Sequence, residues 1–469
     1  MGVGHFGLLA DEWASSWSDR PALIVDDRQW TYAELAVAAR AMAAALDGAG
    51  VRRGERVPLI DTGGVLAFAT VLGATRLGAA AAPMNPRLTV DELRVLAELA
   101  GATKVAVAGD AYRHNVDATV LGIEILSTGA EHQETVAGDE AVVLFTSGTT
   151  GLPKPVPVPS STLLLRLASY VTSSAHQVRL MCVPIHHVGG LIGGLVCLAN
   201  GHTLVVQPRF DAGEWLRIVE KHRVALTFLV PTMLARILDH PDFATADLSS
   251  LQVVTYGAAP MTDELIARAT EAMPHVGFVN TFGQTETLGG ITLSMPDDAK
   301  HPVRRTSVGK LLPGTQVRVV QPDTGADVAP GDVGELYVLS SQNVVDGWLR
   351  TGDLVRIDED DYVYPAGRLA DTINRGGEKF GPIEVETVLR QHPRVRDVAV
   401  AGVPDPELNE RVGALVVADG VTAEDLKVWC TGRIATYKKP ERIMFATEIP
   451  LTDLGKVDRK AVIRQIQGA

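Results

Sequence analysis

The sequence predicts an α/β fold with a largely parallel sheet, and three observations carry that prediction. Residues 1–140 alternate between helical and strand patterning, the order that lays helices on a parallel sheet. A short apolar run, Ala141 to Phe145, reads as a buried strand and ends in Thr146-Ser147-Gly148-Thr149-Thr150-Gly151-Leu152-Pro153-Lys154. Two further apolar runs, Val224 to Leu229 and Leu251 to Tyr256, end in Val230-Pro231-Thr232 and in Gly257-Ala258-Ala259-Pro260. Small residues just past a strand end let a flat ring lie against the backbone.

Composition bounds the function. The chain has 469 residues, of which 46% are apolar, enough to bury a sizeable core. A net charge of −13 argues against nucleic acid and anionic membranes as partners. Cys182, Cys197 and Cys430 are sparse and lack CxxC spacing, which fits a reducing cytoplasm without disulfides or zinc. The opening MGVGHFGLLADEW lacks the basic and apolar regions of a signal peptide. The longest apolar run, Val188 to Ala199, is too short to span a bilayer and reads as a buried glycine-rich turn and helix. A cytoplasmic protein with no integral membrane segment is expected.

In chain order, Thr31 and Glu34 are spaced as a capping box and open a helix running through Leu46. Val57 to Ile60 reads as a strand. Val65 to Ala82 reads as a buried helix running into a strand, and Asn85-Pro86-Arg87 as a turn. The stretch Thr146–Lys154 holds two glycines, four hydroxyls and one lysine within nine residues. Glycines admit an anion close to backbone N–H groups, hydroxyls donate to phosphate oxygens, and lysine adds a full charge. A solvated turn is the bland alternative. It is not a Walker A loop, because the G-x-x-x-x-G-K-[ST] spacing is absent. Beyond it come Pro184-Ile185-His186-His187-Val188-Gly189-Gly190 and Asn280-Thr281-Phe282-Gly283-Gln284-Thr285-Glu286. Val317 to Val320 and Gly334 to Leu339 read as strands, and Leu354 to Ile357 with Tyr362 to Tyr364 as a hairpin. Residues 371–469 read as a small α+β domain. Asn374 to Phe380 forms a glycine-rich turn or hairpin, and Pro382 opens a helix as its first residue. Val398 to Val403 and Val412 to Val417 are strands, and Thr422 and Asp425 form a second capping box.

These motifs, in this order, resemble the acyl-adenylate-forming superfamily: acyl-CoA synthetases, adenylation domains of peptide synthetases, and beetle luciferases. The resemblance covers essentially the whole chain and is closest to an acyl-CoA synthetase. It implies a large N-terminal domain of stacked α/β sheets with a small β subdomain, residues 1–368. A mobile α+β C-terminal domain, 371–469, would swing about a hinge near 369–371. It implies that Thr146, Ser147, Gly148, Thr149, Thr150 and Gly151, with Lys154, hold the phosphates of ATP. Gly257, Ala258, Ala259, Phe282 and Gly283 would contact adenine, and Thr285 a phosphate. Glu286 would help hold Mg²⁺, a hard cation that takes oxygen ligands. His187, Gly189, Gly257 and Gly283 would line the acyl pocket. Asp353, in Gly347-Trp348-Leu349-Arg350-Thr351-Gly352-Asp353, would accept both ribose hydroxyls, and Arg368 would contact the nucleotide. Gly376 and Gly377 would line the thiol tunnel. Lys456, in Gly455-Lys456-Val457-Asp458-Arg459, matches the catalytic lysine.

The implied activity joins a small carboxylic acid to ATP, giving acyl-AMP and pyrophosphate, and then passes the acyl group to coenzyme A. A stand-alone protein loading a carrier-protein pantetheine and a non-catalytic binding relative are the alternatives. The presence together of Lys154, Glu286, Asp353 and Lys456 argues against the last. Segments 184–193, 256–260 and 280–290 contain no arginine, which disfavours a dicarboxylate, whereas Asn374–Lys379 resembles oxalyl-CoA synthetases among others. Three departures stand out. Ala370 occupies the hinge position where Asp or Lys is usual. A Tyr/Asn/Pro-rich insert is missing, so Asn343-Val344-Val345-Asp346 leads almost directly into Gly347-Trp348. Pro155 follows Lys154 where glycine is common, removing one N–H beside the phosphate loop.

Overall fold

The computed structural model describes residues 5–102, 105–115, 119–122, 131–136, 138–146, 153–170, 175–452 and 455–468. They fall into two compact units: 1–257, 263–300 and 340–347 in the first, and 258–262, 301–339 and 348–469 in the second.

The first unit stacks two sheets. Eight of its strands run in the order Gly289–Leu293, Gly277–Gln284, Val253–Gly257, Leu226–Leu229, Val178–Met181, Thr203–Val206, Pro21–Val25, Arg28–Thr31. Every pairing from Gly277–Gln284 to Pro21–Val25 is parallel, and only the two flanking strands turn back. The second sheet runs Thr119–Leu121, Val105–Ala108, Arg56–Ile60, Ala80–Pro83, Glu140–Thr146, Lys154–Pro159, parallel except for its last pair. One core takes residues from both sheets and from helices Tyr32–Gly48, Val65–Arg76 and Val188–Ala199. Val65–Arg76 is buried on every residue, as its largely apolar sequence favours, and its buried Arg76 pairs with Asp11. The expected α/β class with stacked sheets is thus observed. The capping box at Thr31 and Glu34 also forms as read, with both reciprocal bonds present.

The second unit contains a four-stranded antiparallel sheet, Gln316–Val320, Gly334–Leu339, Leu349–Ile357, Val363–Arg368. A five-stranded sheet follows, centred on the long pair Val395–Asp405 and Asn409–Ala418. Alternate residues of that pair face opposite ways, as the two-residue period of a strand dictates. Val398 and Val400 pack with Val385 and Leu389 of helix Pro382–Arg390, whereas Ala399 and Ala401 pack with Val462 and Ile466 of helix Arg459–Gln467. The second capping box, Thr422 with Asp425, is present as well.

Candidate active site

Glu140–Thr146 pairs antiparallel with Lys154–Pro159, and Thr146 stands opposite Lys154. Ser147, Gly148, Thr149, Thr150 and Gly151 lie outside the described residues. Lys154 is exposed at the mouth of the hairpin. The structure also explains Pro155. Lys154–Pro159 is the edge strand of its sheet and carries proline at 155, 157 and 159. With Phe145 opposite Pro155 and Val143 opposite Pro157, the donors of the ladder fall on Val156 and Val158. The missing N–H of Pro155 belongs to the open edge, where proline is tolerated and blocks edge pairing.

In the first unit the parallel strands deliver the other predicted residues to one sheet edge, beyond their carboxyl ends, the usual ligand position in an open α/β sheet. His186 and His187 follow Val178–Met181, Gly257 ends its strand, and Phe282 and Gly283 lie at the end of the next. Register fixes their neighbours, with Tyr256 opposite Asn280 and Gly257 opposite Thr281. A Cβ at Gly257 would meet the Thr281 carbonyl at 2.3 Å, so strand packing itself demands glycine there. At Gly283 a Cβ would lie 1.9 Å from the Gly289 carbonyl oxygen. Ala258, just beyond, has φ +66.

His187 is the N-cap residue of helix Val188–Ala199, so Gly189 lies in its first turn. The His186 and His187 rings are 4.2 Å apart. His186 is buried, and burial, then neighbouring His187 and Arg87, push its imidazole down to about 2. It is therefore neutral at physiological pH. The Ile185 N–H donates to the Thr62 carbonyl at 3.1 Å, which brings the end of Arg56–Ile60, and Asp61 with it, beside this loop.

Strand Glu140–Thr146 packs against the short helix Thr285–Thr287, which bears Thr285 and Glu286. That turn is held from within and without. Thr287 Oγ1 donates to the Gln284 and Gly289 carbonyls and accepts from the Gln284 N–H. The Val344 N–H donates to the Glu286 carbonyl at 2.9 Å. Glu286 is half-buried and, among the described residues, makes no ion pair. No group of three or more His, Cys, Asp or Glu among the described residues could cage a metal. A lone carboxylate such as Glu286 instead suits Mg²⁺, which binds through one or two carboxylates plus substrate phosphates.

Sequence reasoning missed Arg166. It lies on helix Ser160–Ser169, 3% exposed, on the buried face with Thr162, Leu163 and Leu167. Its Nε donates to the Leu288 carbonyl at 3.0 Å, Nη2 to the Gly290 carbonyl, and Nη1 to Gln342. The available signal was an arginine at helical spacing within an apolar face.

In the second unit, Asp353 and Arg368 stand opposite each other across a hairpin and pair at 2.8 Å. The Asp353 N–H donates to Thr351 Oγ1, whose own proton goes to the Leu336 carbonyl. Gly376 and Gly377, both at positive φ, turn the hairpin between Ile373–Arg375 and Glu378–Phe380. Lys456 is exposed, its backbone tied to Thr452 in both directions. Three residues on, Arg459 donates to Asp371 at 3.1 Å and to buried Glu386 at 2.8 Å, which anchors the segment. Ala370 lies inside the short helix Leu369–Asp371.

The model of the AMP-binding enzyme family matches residues 10–349, and that of the AMP-binding enzyme C-terminal domain matches 384–456. The chain belongs to the AMP-binding enzyme family. The acyl-adenylate-forming superfamily, named from the motifs, is thereby shown. Among similar proteins, feruloyl-CoA synthase of Amycolatopsis sp is 33% identical over 93% of this chain and 94% of its own. The long-chain-fatty-acid–CoA ligase FadD13 of Mycobacterium tuberculosis is 31% identical over 94% and 93%. Among solved structures, the amide bond synthetase McbA of Marinactinospora thermotolerans superposes with a TM-score of 0.88 at 28% identity, over 98% of this chain and 99% of that one. Among the described residues no helix is long and apolar enough to cross a membrane.

Proposed function

We propose that this AMP-binding enzyme is an AMP-forming acid–CoA ligase, which activates a small carboxylic acid with ATP and hands the acyl group to coenzyme A. The observation that carries the reading is the packing of the Glu140–Thr146 strand against the Thr285–Thr287 turn. That packing sets the turn bearing Glu286, which makes no ion pair among the described residues, against the strand that leads into the hydroxyl- and glycine-rich stretch, and this supports a site for a metal-bound triphosphate.

The residues divide the work as follows. Lys154 and the hydroxyls of Thr146, Ser147, Thr149 and Thr150 hold the phosphates that leave as pyrophosphate. Mg²⁺, when bound, would neutralise phosphate charge; Glu286 would help hold it, and Thr285 would contact a phosphate. Asp353 accepts from the ribose hydroxyls, and its bond to Arg368 keeps the carboxylate oriented. Phe282 stacks on adenine. The substrate carboxylate attacks the α-phosphate, the acyl–phosphate bond forms, and the bond to the pyrophosphate oxygen breaks. Lys456 bridges the two anions as they are forced together, where a preorganised charge is most effective. A thiol then attacks the acyl carbon and AMP leaves. The glycine hairpin at 376–377 guides that thiol, after the C-terminal domain has turned about residues 369–371.

A panel of acids tests the first half by acid-dependent exchange of labelled pyrophosphate into ATP. No exchange with any acid would remove the reading. Supplying coenzyme A, a phosphopantetheinylated carrier protein or an amine tests the second half. The amine arm is included because McbA, an amide bond synthetase, aligns along nearly the whole chain. The ligase reading expects thioester with coenzyme A, and amide alone would overturn it.

A further inference from the structure

We propose that Arg166 is the positioning residue that sets the Thr285–Gly290 turn, and through it Glu286, in the geometry that accepts metal-bound ATP; this rests on the ligase reading above. Besides its internal bonds, the turn contains backbone that goes against local preference. Leu288 has φ +50 and Gly289 φ +103, and a left-handed leucine is disfavoured without outside support.

Arg166 supplies that support from a residue 122 positions away. The guanidinium is buried and, among the described residues, has no carboxylate partner. Its Nε and Nη2 donate to the carbonyls on either side of Gly289, those of Leu288 and Gly290. A rigid planar fork matches two carbonyls in this way, whereas a lysine ammonium on a flexible stem does not. The face of the Tyr170 ring lies 5.0 Å away and steadies the group.

The third donor reaches Gln342, two residues before Val344, whose N–H holds the Glu286 carbonyl. Arg166 thus ties two segments that flank Glu286 to the helix that follows the phosphate hairpin.

The test is the Mg²⁺ dependence of acid-dependent pyrophosphate exchange, at fixed ATP, in the full chain. Arg166→Lys keeps the charge and loses the fork. It should raise the half-saturating Mg²⁺ concentration about tenfold, with kcat at saturating Mg²⁺ within about threefold of wild type. Gln342→Leu, which removes only the third contact, should raise it about two- to threefold and melt near wild type. A merely structural arginine would lower the melting temperature and leave the Mg²⁺ dependence alone. Unchanged half-saturation in both variants overturns the proposal. If Arg166→Lys does not fold, Gln342→Leu decides on the same criterion. A wild type that catalyses no exchange would instead refute the ligase reading, so the two failures are distinct.

Discussion

Asp353→Asn separates the catalytic from the structural value of one carboxylate. Asparagine keeps the size and one acceptor oxygen, so the hairpin Leu349–Ile357 with Val363–Arg368 and the bond from the Asp353 N–H to Thr351 remain. What is lost is the charge. Its structural partner is Arg368, at 2.8 Å, and that arginine side chain is 51% exposed while Asp353 is 9% exposed. A pair so open on one side contributes about 0–1 kcal/mol to stability. In a chain of this size that is a shift of about 1 °C at most. Accepting ribose hydroxyls is a larger matter, since hydrogen bonds to charged groups contribute about 1.5–3 kcal/mol. This corresponds to roughly a 10- to 150-fold fall in kcat/KM for ATP. The assay is steady-state pyrophosphate exchange with ATP varied and the acid saturating, beside a thermal melt. The acid's KM should hardly move. A folded variant with wild-type ATP kinetics would refute the assignment of Asp353 to the nucleotide.

Lys456→Ala should slow adenylate formation about 10²–10³-fold, the cost of one preorganised donor, yet convert supplied acyl-AMP and coenzyme A at near the wild-type rate. Equal loss of both half-reactions would falsify that division of labour. Gly283→Ala should destabilise the first unit by about 1–3 kcal/mol, because its Cβ would sit 1.9 Å from backbone oxygen and 2.7 Å from backbone carbon of Gly289; an unchanged melt would contradict the strand packing. Burial pushes the Asp61 carboxyl up to about 6, against the Thr62 and Gly63 N–H groups that pull it down. The folded chain then holds a proton that the unfolded chain has released, so stability falls as pH rises from about 4 to about 6 and the loss is complete above that. Asp61 keeps some contact with water, so Asp61→Asn should stabilise by about 1 kcal/mol at pH 7 and by nothing at pH 4. Equal melting shifts at both pH values would remove the burial argument.

Much of this protein was legible without coordinates, and what was legible was local. Thr31 with Glu34, and Thr422 with Asp425, are three residues apart, and their capping boxes form because both partners lie in one helical turn. Pro382 opens its helix because its fixed φ already suits a first turn. The hairpin at Gly376-Gly377 follows from two residues free to take positive φ. The candidate site residues were legible as strings: each motif states its residue types in order, whatever the fold does. The sequence did not state who stands beside whom. That Lys154 faces Thr146, that Asp353 bonds Arg368, and that Pro155 spends its missing donor on an open edge are matters of register. Arg166 shows the limit most plainly. Its fork closes on carbonyls more than 120 residues away, and a backbone carbonyl carries no signature in the sequence. Local propensities chose the elements. Only the tertiary structure, by burying a charge where solvent could no longer satisfy it, decided which turn that charge would hold.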